Sequence, residues 1–494
     1  MHRYHSPAQR LVRSSLPAAR RLALAMLAGG ALGVGALGGL GGCAADTSAP
    51  TTGQITGRYI AVLCDGDMTA TAFADEMLAP RPGAKDVLTV VPLPIADPDG
   101  VDAIKWQTSV TQIPVSNSVG GPPVSVAASP DGTRVYAVES KGPAGPGATR
   151  MSDLPVGRLL TSVCMDDPAA PHLIQSIEVG DEPMSVDVHP DGDLVAVATR
   201  SVGGQIVIVP TDNEDGFGEP MRFPLVGLDR SNARPSCIAW HPDGNHFAVT
   251  LPETNEVAFF EFRRTAVDGG PGIAPWGEPV QVGKFPFSGR FSPDGRFFIT
   301  SDLHWGPDVE GFLAGAPEGT LSAIRVSRVP TCVVPAVNEY TASGSLIRSE
   351  DGRVDLGLAV HEVVSTAVVG ISPESMAISP DGKFIATANI RRAFLKDGDT
   401  RQTRGGSLSL VGFNTSTGEL TNHGELDIPA MPEGLAFDAS GKHLVVSQFM
   451  SFEPGAVDGE LSFYKLIRTN PPTLLPADFY VGVGIGPHGV VIVR

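Results

Sequence analysis

Three ionisable side chains occupy the same place in three consecutive copies of a repeated pattern. Glu374, Glu433 and His488 each directly follow a proline, with spacings of 59 and 55 residues along the chain. Two carboxylates and an imidazole could bind a divalent metal, or supply a general base that works near neutral pH. We predict that these three residues form a catalytic site, provided that the fold brings the three copies side by side.

A second set of polar residues lies about 15 positions after each repeat proline, where a second strand is expected to end. These residues are Glu139, Thr199, Asp302, Asn389, Gln448 and Cys64, with Asp65 next to the last. From this set and the loops that follow it, the predicted ligand-binding residues are Asp302, His304, Asn389, Arg391, Arg392 and Gln448. The alternative is that these polar side chains only serve a wide, solvated channel.

The segment 389–405 is a basic island in an acidic protein, because it carries Arg391, Arg392, Lys396, Arg401 and Arg404. Arginines in such a loop could clamp an anionic ligand, such as a carboxylated lactone or a phosphosugar, through bidentate hydrogen bonds. Equally, the loop could be solvated and balance acidic neighbours.

The repeated pattern itself predicts the architecture. Six gap-free copies begin at Pro123, Pro183, Pro235, Pro286, Pro373 and Pro432, and a truncated seventh begins at Pro487. In each full copy an apolar run, a turn and a β-rich run predict two strands joined by a tight turn, which is Pro-Asp-Gly in the first five copies. A third strand and a returning fourth follow. Four strands in roughly 50 residues are typical of one blade of a β-propeller, so the fold prediction is all-β with seven four-stranded antiparallel blades.

The two ends of the chain complete each other. The last copy has only a first strand, at 489–493, whereas the N-terminal region offers a second strand at 58–63, a third at 86–93 and a fourth near 109–116. We therefore predict that the C-terminal strand joins the N-terminal blade and closes the ring of a propeller spanning residues 57–494. The long interval between the fourth and fifth copies predicts an insertion at about 306–360.

This repeat, with Pro-x-[Ser/Cys/Gly] before the turn and an aliphatic strand after it, resembles the YVTN and lactonase-like group of seven-bladed propellers. The sixth copy departs from the pattern at Asp438–Gly441, and the Gly-His and Trp-Asp signature of WD40 blades is missing. Members of the group include lactonases, redox enzymes and proteins that only bind partners. The lactonase resemblance implies ring opening by glutamate, histidine and arginine at the channel mouth, which matches Glu374, Glu433, His488 and Arg391 or Arg392 by residue type.

The first 42 residues predict export. Five arginines precede an apolar, glycine-rich run that ends in Leu-Gly-Gly-Cys43, which resembles a bacterial lipobox. Cys43 is the predicted lipidation site, and 43–56 would be a flexible tether. The expected location is the cell envelope, anchored by lipid on the outer side of the cytoplasmic membrane or in the outer membrane. A retained transmembrane helix is the alternative, but its many glycines disfavour it.

Charge and cysteine content limit the partners and cofactors. The formal net charge is −18, and about −23 without the five leader arginines, which disfavours nucleic acid as a partner. Cys64, Cys164, Cys237 and Cys332 allow up to two disulfides in an oxidising compartment. Their spacing fits neither a zinc site nor a CxxCH haem site, so no haem is expected, whereas a divalent metal stays open. The Asp-Gly-Asp sequence at Asp65–Asp67 is interpreted as a turn.

Three functional hypotheses follow. The first is a surface-anchored propeller that binds a ligand or an envelope protein through its channel mouth and loops. The second is a lactonase-like hydrolase of small anionic lactones. The third is a metal-dependent or redox enzyme. The sequence has no GxSxG, HExxH, Walker or dinucleotide-binding motif.

Overall fold

The computed structural model describes residues 54–78, 85–96, 110–212, 216–228, 233–266, 269–305, 317–329, 338–341, 346–348, 358–452 and 459–494. The predicted leader, Cys43, most of the predicted tether, Cys332 and part of the predicted insertion lie outside these residues. Within them, no helix is long and apolar enough to cross a membrane.

Seven antiparallel sheets form the blades, which confirms the predicted seven-bladed propeller. From the innermost strand outwards, blade 1 is Val126–Ala128, Arg134–Val138, Leu159–Cys164 and His172–Glu178; blade 2 is Ser185–Val188, Leu194–Ala198, Ile206–Asp212 and Met221–Phe223; blade 3 is Cys237–Trp240, His246–Leu251, Glu256–Arg263 and an outer edge of Gly272–Pro275 and Val280–Gln281. Blade 4 is Pro286–Phe291, Phe297–Asp302, Glu318–Val329 and Leu358–Ile371; blade 5 is Pro373–Ile378, Phe384–Asn389, Gly406–Phe413 and Leu420–Ile428; blade 6 is Ala430–Phe437, His443–Ser451, Glu460–Ile467 and Thr473–Gly482. Blade 7 is Pro487–Val493, Tyr59–Cys64, Val87–Pro92 and Thr111–Pro114. Short elements outside this frame are strands Gln54–Ile55, Ile95–Ala96 and Gly216–Phe217, the helix Ala72–Asp75 and the 3₁₀ helix Met151–Asp153.

Tight turns join the first and second strands on one face of the ring, which we call the turn face. The turn glycines of blades 1 to 6 have φ between 63° and 80°, a conformation that glycine adopts without steric cost. In blades 2 and 3 a histidine replaces serine before the turn. His189 Nε2 donates to the carbonyl of Gly244 (2.7 Å), and His241 Nε2 donates to that of Gly295 (2.8 Å), so each turn is tied to the next blade.

The ring closes as predicted. Strand Pro487–Val493 pairs with Tyr59–Cys64, and the Arg58 amide donates to the Val493 carbonyl at 2.8 Å. Ile60, Val62 and Val490 then enter the apolar cluster between blades 6 and 7. Closure therefore depends on hydrogen bonds and buried apolar surface, without a covalent link.

The departure from the repeat at Asp438 has a structural reason. Its buried carboxylate accepts hydrogen bonds from the Thr56 amide (3.0 Å) and hydroxyl (2.8 Å) and from the His443 amide (3.0 Å). In return, the Ala439 amide donates to the Thr56 carbonyl. The unusual turn thus holds the N-terminal segment against the turn face.

The described part of the insertion lies at the outer rim. Strands Glu318–Val329 and Leu358–Ile371 of blade 4 pair far beyond the usual blade length. Asn338–Thr341 pairs with Gly272–Pro275 of blade 3 and with Leu346–Arg348, so these residues extend the sheet of blade 3 outwards.

The described cysteines are free and buried. Cys64 ends the second strand of blade 7, Cys164 ends the third strand of blade 1, and Cys237 begins blade 3. Two disulfides, the upper limit that the sequence allowed, would need a pair within these three cysteines, and these three are free.

Candidate functional site

The predicted catalytic residues lie in β-bulges at the entry of adjacent innermost strands. In blade 5, Pro373 faces Asn389 but Ser375 faces Ala388, so Glu374 is an extra residue in its strand. Similar register shifts follow Pro286, Pro432 and Pro487. A bulge re-aims the side chain that it carries, which explains why these positions differ from the rest of the strand. The structure thus places Glu374, Glu433 and His488 at equivalent points of blades 5, 6 and 7.

The three predicted catalytic side chains are buried rather than solvated. Glu374 is 3% exposed, and Glu433 and His488 are 0% exposed. Ser447 links blades 6 and 7, because its hydroxyl accepts from the Gly434 amide (2.8 Å) and donates to the His488 carbonyl (3.0 Å). The three ionisable groups are therefore buried on one side of the channel.

Glu374 and Glu433 form a pair of interacting carboxyl groups. Burial raises the pKa of Glu374 from 4.5 to about 7. Burial and then the charge on Glu374 raise the pKa of Glu433 well above its ordinary value. Apart from Glu374, neither Glu433 oxygen has a hydrogen-bond partner among the described residues. Near neutral pH such a pair shares one proton, which either carboxyl group can donate.

His488 is held as a neutral imidazole. Its Nε2 donates to Oδ1 of Asn117 at 2.8 Å. The Asn117 amide donates to the carbonyls of Val115 (2.8 Å) and Cys64 (3.2 Å), which fixes Oδ1 as the acceptor. Burial lowers the pKa of His488 from 6.5 to about 3. Its Nδ1 is buried and has no partner among the described residues, so a lone pair is available there. Sequence reasoning missed Asn117 because it lies in a connection outside the repeat.

The raised pKa values predict a pH dependence of stability. At this pair the folded protein holds more protons than the unfolded chain above about pH 4.5, so the contribution of Glu374 to stability is lost as the pH rises from about 4.5 through about 7. A glutamine at position 433 cannot ionise. We expect Glu433→Gln to match the wild type in stability at pH 5 and to be more stable than the wild type at pH 8. Thermal unfolding at both pH values measures this, with the exposed Glu419→Gln as control. An identical pH dependence in Glu433→Gln and wild type would contradict it.

An apolar cap covers the same face, which we call the loop face. It is formed by loops that follow the second strands of five blades and by the entries to several innermost strands. The largest buried members include Phe394, Trp305, Phe449, Met431 and Leu303. Trp305 Nε1 donates to Ser372 Oγ at 2.8 Å, two residues before Glu374, so the cap is attached beside the site. The sequence did not reveal the cap, since its residues come from unrelated loops.

Asp302 and Asn389 make their hydrogen bonds within their own blades. Oδ1 of each accepts from the threonine two residues earlier, at 2.8 Å. Asp302 Oδ2 also accepts from Ser322 and Thr320, and Asn389 Nδ2 donates to Ser407 and Ser409. Burial raises the pKa of Asp302 to about 6. Both predicted ligand-binding side chains thus tie the second strand to the third.

The basic island is paired with acidic neighbours. Arg391 donates to Glu425 and Asp427, each at 2.5 Å, in the outer strand of its own blade. The Arg392 backbone amide donates to the Thr403 hydroxyl oxygen at 3.1 Å, and the Arg392 side chain is half-buried in the same loop. The remaining pairs are Lys396 with Asp75 and Arg401 with Asp399, while Arg404 lies over the Phe452 ring. The structure favours the charge-balancing alternative for this loop.

His304 and Gln448 lie on the loop face. His304 is half-buried, with Nε2 3.2 Å from the Thr320 hydroxyl. Burial and the nearby Lys284 lower its pKa, which favours a neutral ring. Gln448 is 4% exposed and faces Pro432, next to Glu433. Of these two residues, only Gln448 lies opposite the repeat proline of a strand that carries one of the buried groups, Glu433.

Three acidic clusters could hold a cation by distance, within the described residues. In Asp65, Asp67 and Asp86 the candidate oxygens lie within 4.8 Å of one another. Asp65 Oδ1 accepts from the amides of Asp67 and Met68, which is the arrangement of the expected turn. The other two clusters, around His189 and His241, use the histidine nitrogens for turn hydrogen bonds.

Comparisons with solved structures return propellers of the same kind. A 6-phosphogluconolactonase candidate from Bacteroides uniformis has a TM-score of 0.51 and 16% identity, over 88% of this chain and 99% of that one. The periplasmic gluconolactonase of Pseudomonas aeruginosa gives 0.51 and 16%, over 88% and 99%. A protein of unknown function from Desulfotomaculum acetoxidans gives 0.52 and 13%, over 88% and 99%. No protein-family model and no curated protein sequence matches the chain. The likeness is one of fold and agrees with the seven-bladed propeller described above.

Proposed function

We propose that the protein is a lactonase-like hydrolase that works at Glu374, Glu433 and His488. The observation that carries this proposal is the burial of three ionisable groups on adjacent blades. Among the described residues, the Glu433 oxygens have no hydrogen-bond partner other than Glu374, and His488 Nδ1 has none. Buried polar atoms are nearly always satisfied, and strongly shifted pKa values concentrate at functional sites. The gluconolactonases among the structural neighbours support the reaction class.

The chemistry follows from the proton that the carboxyl pair holds. The ionised carboxylate takes a proton from water as the water oxygen bonds to the lactone carbonyl carbon. The protonated partner gives its proton to the ring oxygen as the carbon–oxygen bond of the ring breaks. The product is a hydroxy acid, and it leaves the enzyme with its acidic proton passed to the solvent. His488 Nδ1 accepts a hydrogen bond from the water and orients it.

Hydrolysis of a panel of small lactones by the purified mature protein tests the proposal. We expect turnover in the wild type and at least about 100-fold lower kcat in His488→Ala, because that variant loses the acceptor that orients the water. Circular dichroism checks that the variant is folded. Parallel assays with a chelator, after metal analysis, separate this mechanism from a metal-assisted one. Absence of turnover across the panel would contradict the hydrolase function.

We further propose attachment to the cell envelope through lipid on Cys43, on the sequence evidence of the lipobox-like Leu-Gly-Gly-Cys43. The fold is compatible, because Thr56 enters the propeller on the turn face, opposite the capped site. A binding function towards an envelope partner is the second candidate. Binding of lactones without turnover would favour this binding function.

A further inference from the structure

Five basic side chains around the buried site are already bonded to the protein's own carboxylates. Arg391 is shared between Glu425 and Asp427, and its side chain is 24% exposed. The same holds for Lys396 with Asp75, Arg401 with Asp399, and Lys141 and Arg200 with Glu182. An anionic ligand that used any of these five cations would have to displace the carboxylate already bonded to it.

The buried charge at this end of the channel is acidic. Besides Glu374 and Glu433, Asp65 is 0% exposed and Glu139 is 6% exposed at equivalent ends of second strands. Burial raises the pKa of Asp86 to about 7, with contributions from the charges on Asp67 and Glu139. A phosphate group brought here would lose its water and face carboxyl groups.

The apolar cap beside the site is a buried cluster that includes aromatic side chains. Phe394 and Trp305 lie 6.0 Å apart between ring centroids, and Phe285 lies 6.3 Å from Trp305. Phe449 and Met431 bring the cap across to blade 6, where Met431 is two residues before Glu433. A ligand between the cap and the carboxyl pair therefore meets acid on one side and apolar side chains on the other.

We propose that the site accepts uncharged lactones whose ring carries an apolar substituent, and that it rejects phosphorylated lactones. The inference rests on the proposed hydrolase function and names its substrate class. The substituent packs against the cap, and the ring carbonyl faces Glu374 and Glu433. This proposed substrate class differs from the small anionic lactones that the sequence analysis considered.

Two matched substrate pairs test the proposal. Each buried methylene contributes about fourfold. We expect kcat/KM for γ-nonalactone to exceed that for γ-butyrolactone by at least about 50-fold. We expect glucono-δ-lactone to exceed its 6-phosphate by at least about tenfold. A phosphorylated lactone turned over as well as its neutral counterpart, or an alkyl chain without effect, would overturn the proposal.

Variants of a cap residue test whether the higher kcat/KM of the alkyl lactone comes from packing against the cap. Phe394→Ala and the milder Phe394→Leu should reduce the alkyl advantage several-fold and leave the neutral-to-phosphorylated ratio unchanged. Phe413→Ala, in an apolar cluster between blades, is the matched control and should change neither ratio. An alkyl advantage that survives both Phe394 variants would contradict packing against the cap.

Binding decides the substrate class if no lactone is hydrolysed. Calorimetry with γ-nonalactone and with 6-phosphogluconate compares the two classes directly. Tighter binding of the alkyl lactone supports the inference even though the hydrolase function has failed. Tighter binding of the phosphorylated compound, or no binding of either at millimolar concentration, overturns it.

Discussion

Glu433→Gln is expected to lower kcat/KM for the best lactone by about 1,000-fold. Glutamine has nearly the same shape as glutamate, but its amide can neither ionise nor donate an acidic proton. The substitution removes the shared proton of the Glu374–Glu433 pair, and general acid–base catalysis by positioned groups is worth about 10²–10⁴. Steady-state rates measured from pH 5 to 9 give the loss and its pH profile.

The design of the experiment separates catalysis from folding. Glu374→Gln should show a similar loss, and the double variant should be no worse than either single one, because two groups that share one proton act as a unit. Glu419→Gln, on an exposed loop, is the surface control and should retain wild-type rates. Additive losses in the double variant, or an active Glu433→Gln, would rule out the shared-proton mechanism.

Deletion of residues 487–494 is expected to abolish cooperative folding. It removes the innermost strand of blade 7 and leaves the inner edge of Tyr59–Cys64 without backbone partners. It also exposes Ile60 and Val62, which are fully buried. The loss is of the order of the whole stability of a domain, about 5–15 kcal/mol. Thermal unfolding followed by circular dichroism measures it.

A shorter truncation and a peptide complete that test. Removal of Arg494 alone is the control, because it is exposed and lies beyond the strand, and it should leave unfolding unchanged. A synthetic peptide with the sequence of residues 486–494 should restore the transition when added to the truncated chain. A cooperative transition of normal midpoint in the truncated chain would show that the ring does not need this strand.

The fold could be predicted because the repeat carries its own register. The sequence predicts the second and third strands of the N-terminal blade at 58–63 and 86–93, and the structure has them at Tyr59–Cys64 and Val87–Pro92. The closing strand was predicted at 489–493 and is Pro487–Val493. Gap-free copies place every turn glycine at the same offset, and a one-residue error would move each apolar side chain to the other face. The pattern within each repeat and the seven-bladed ring therefore specify the same strands.

The candidate site could be predicted only in part. The equivalence of Glu374, Glu433 and His488 follows from the repeat, since each comes after its proline. Their burial does not, because the apolar cap is built from loops that share no pattern. The ion pairs of Arg391 could not be predicted from the sequence either. Glu425 and Asp427 are distant from Arg391 along the chain, and only strand pairing brings them into contact with it. Long-range partners of loop residues need the three-dimensional structure.

The closing hydrogen bond between Arg58 and Val493 places the two ends of the propeller side by side, so the ring requires the cyclic order of the blades but not a particular first blade. Since these two residues already touch, a short linker could join them, and the chain could then be opened at another turn without changing the ring. A circularly permuted gene that begins at blade 3 would encode the same propeller. The present gene order is therefore one of several that satisfy this architecture.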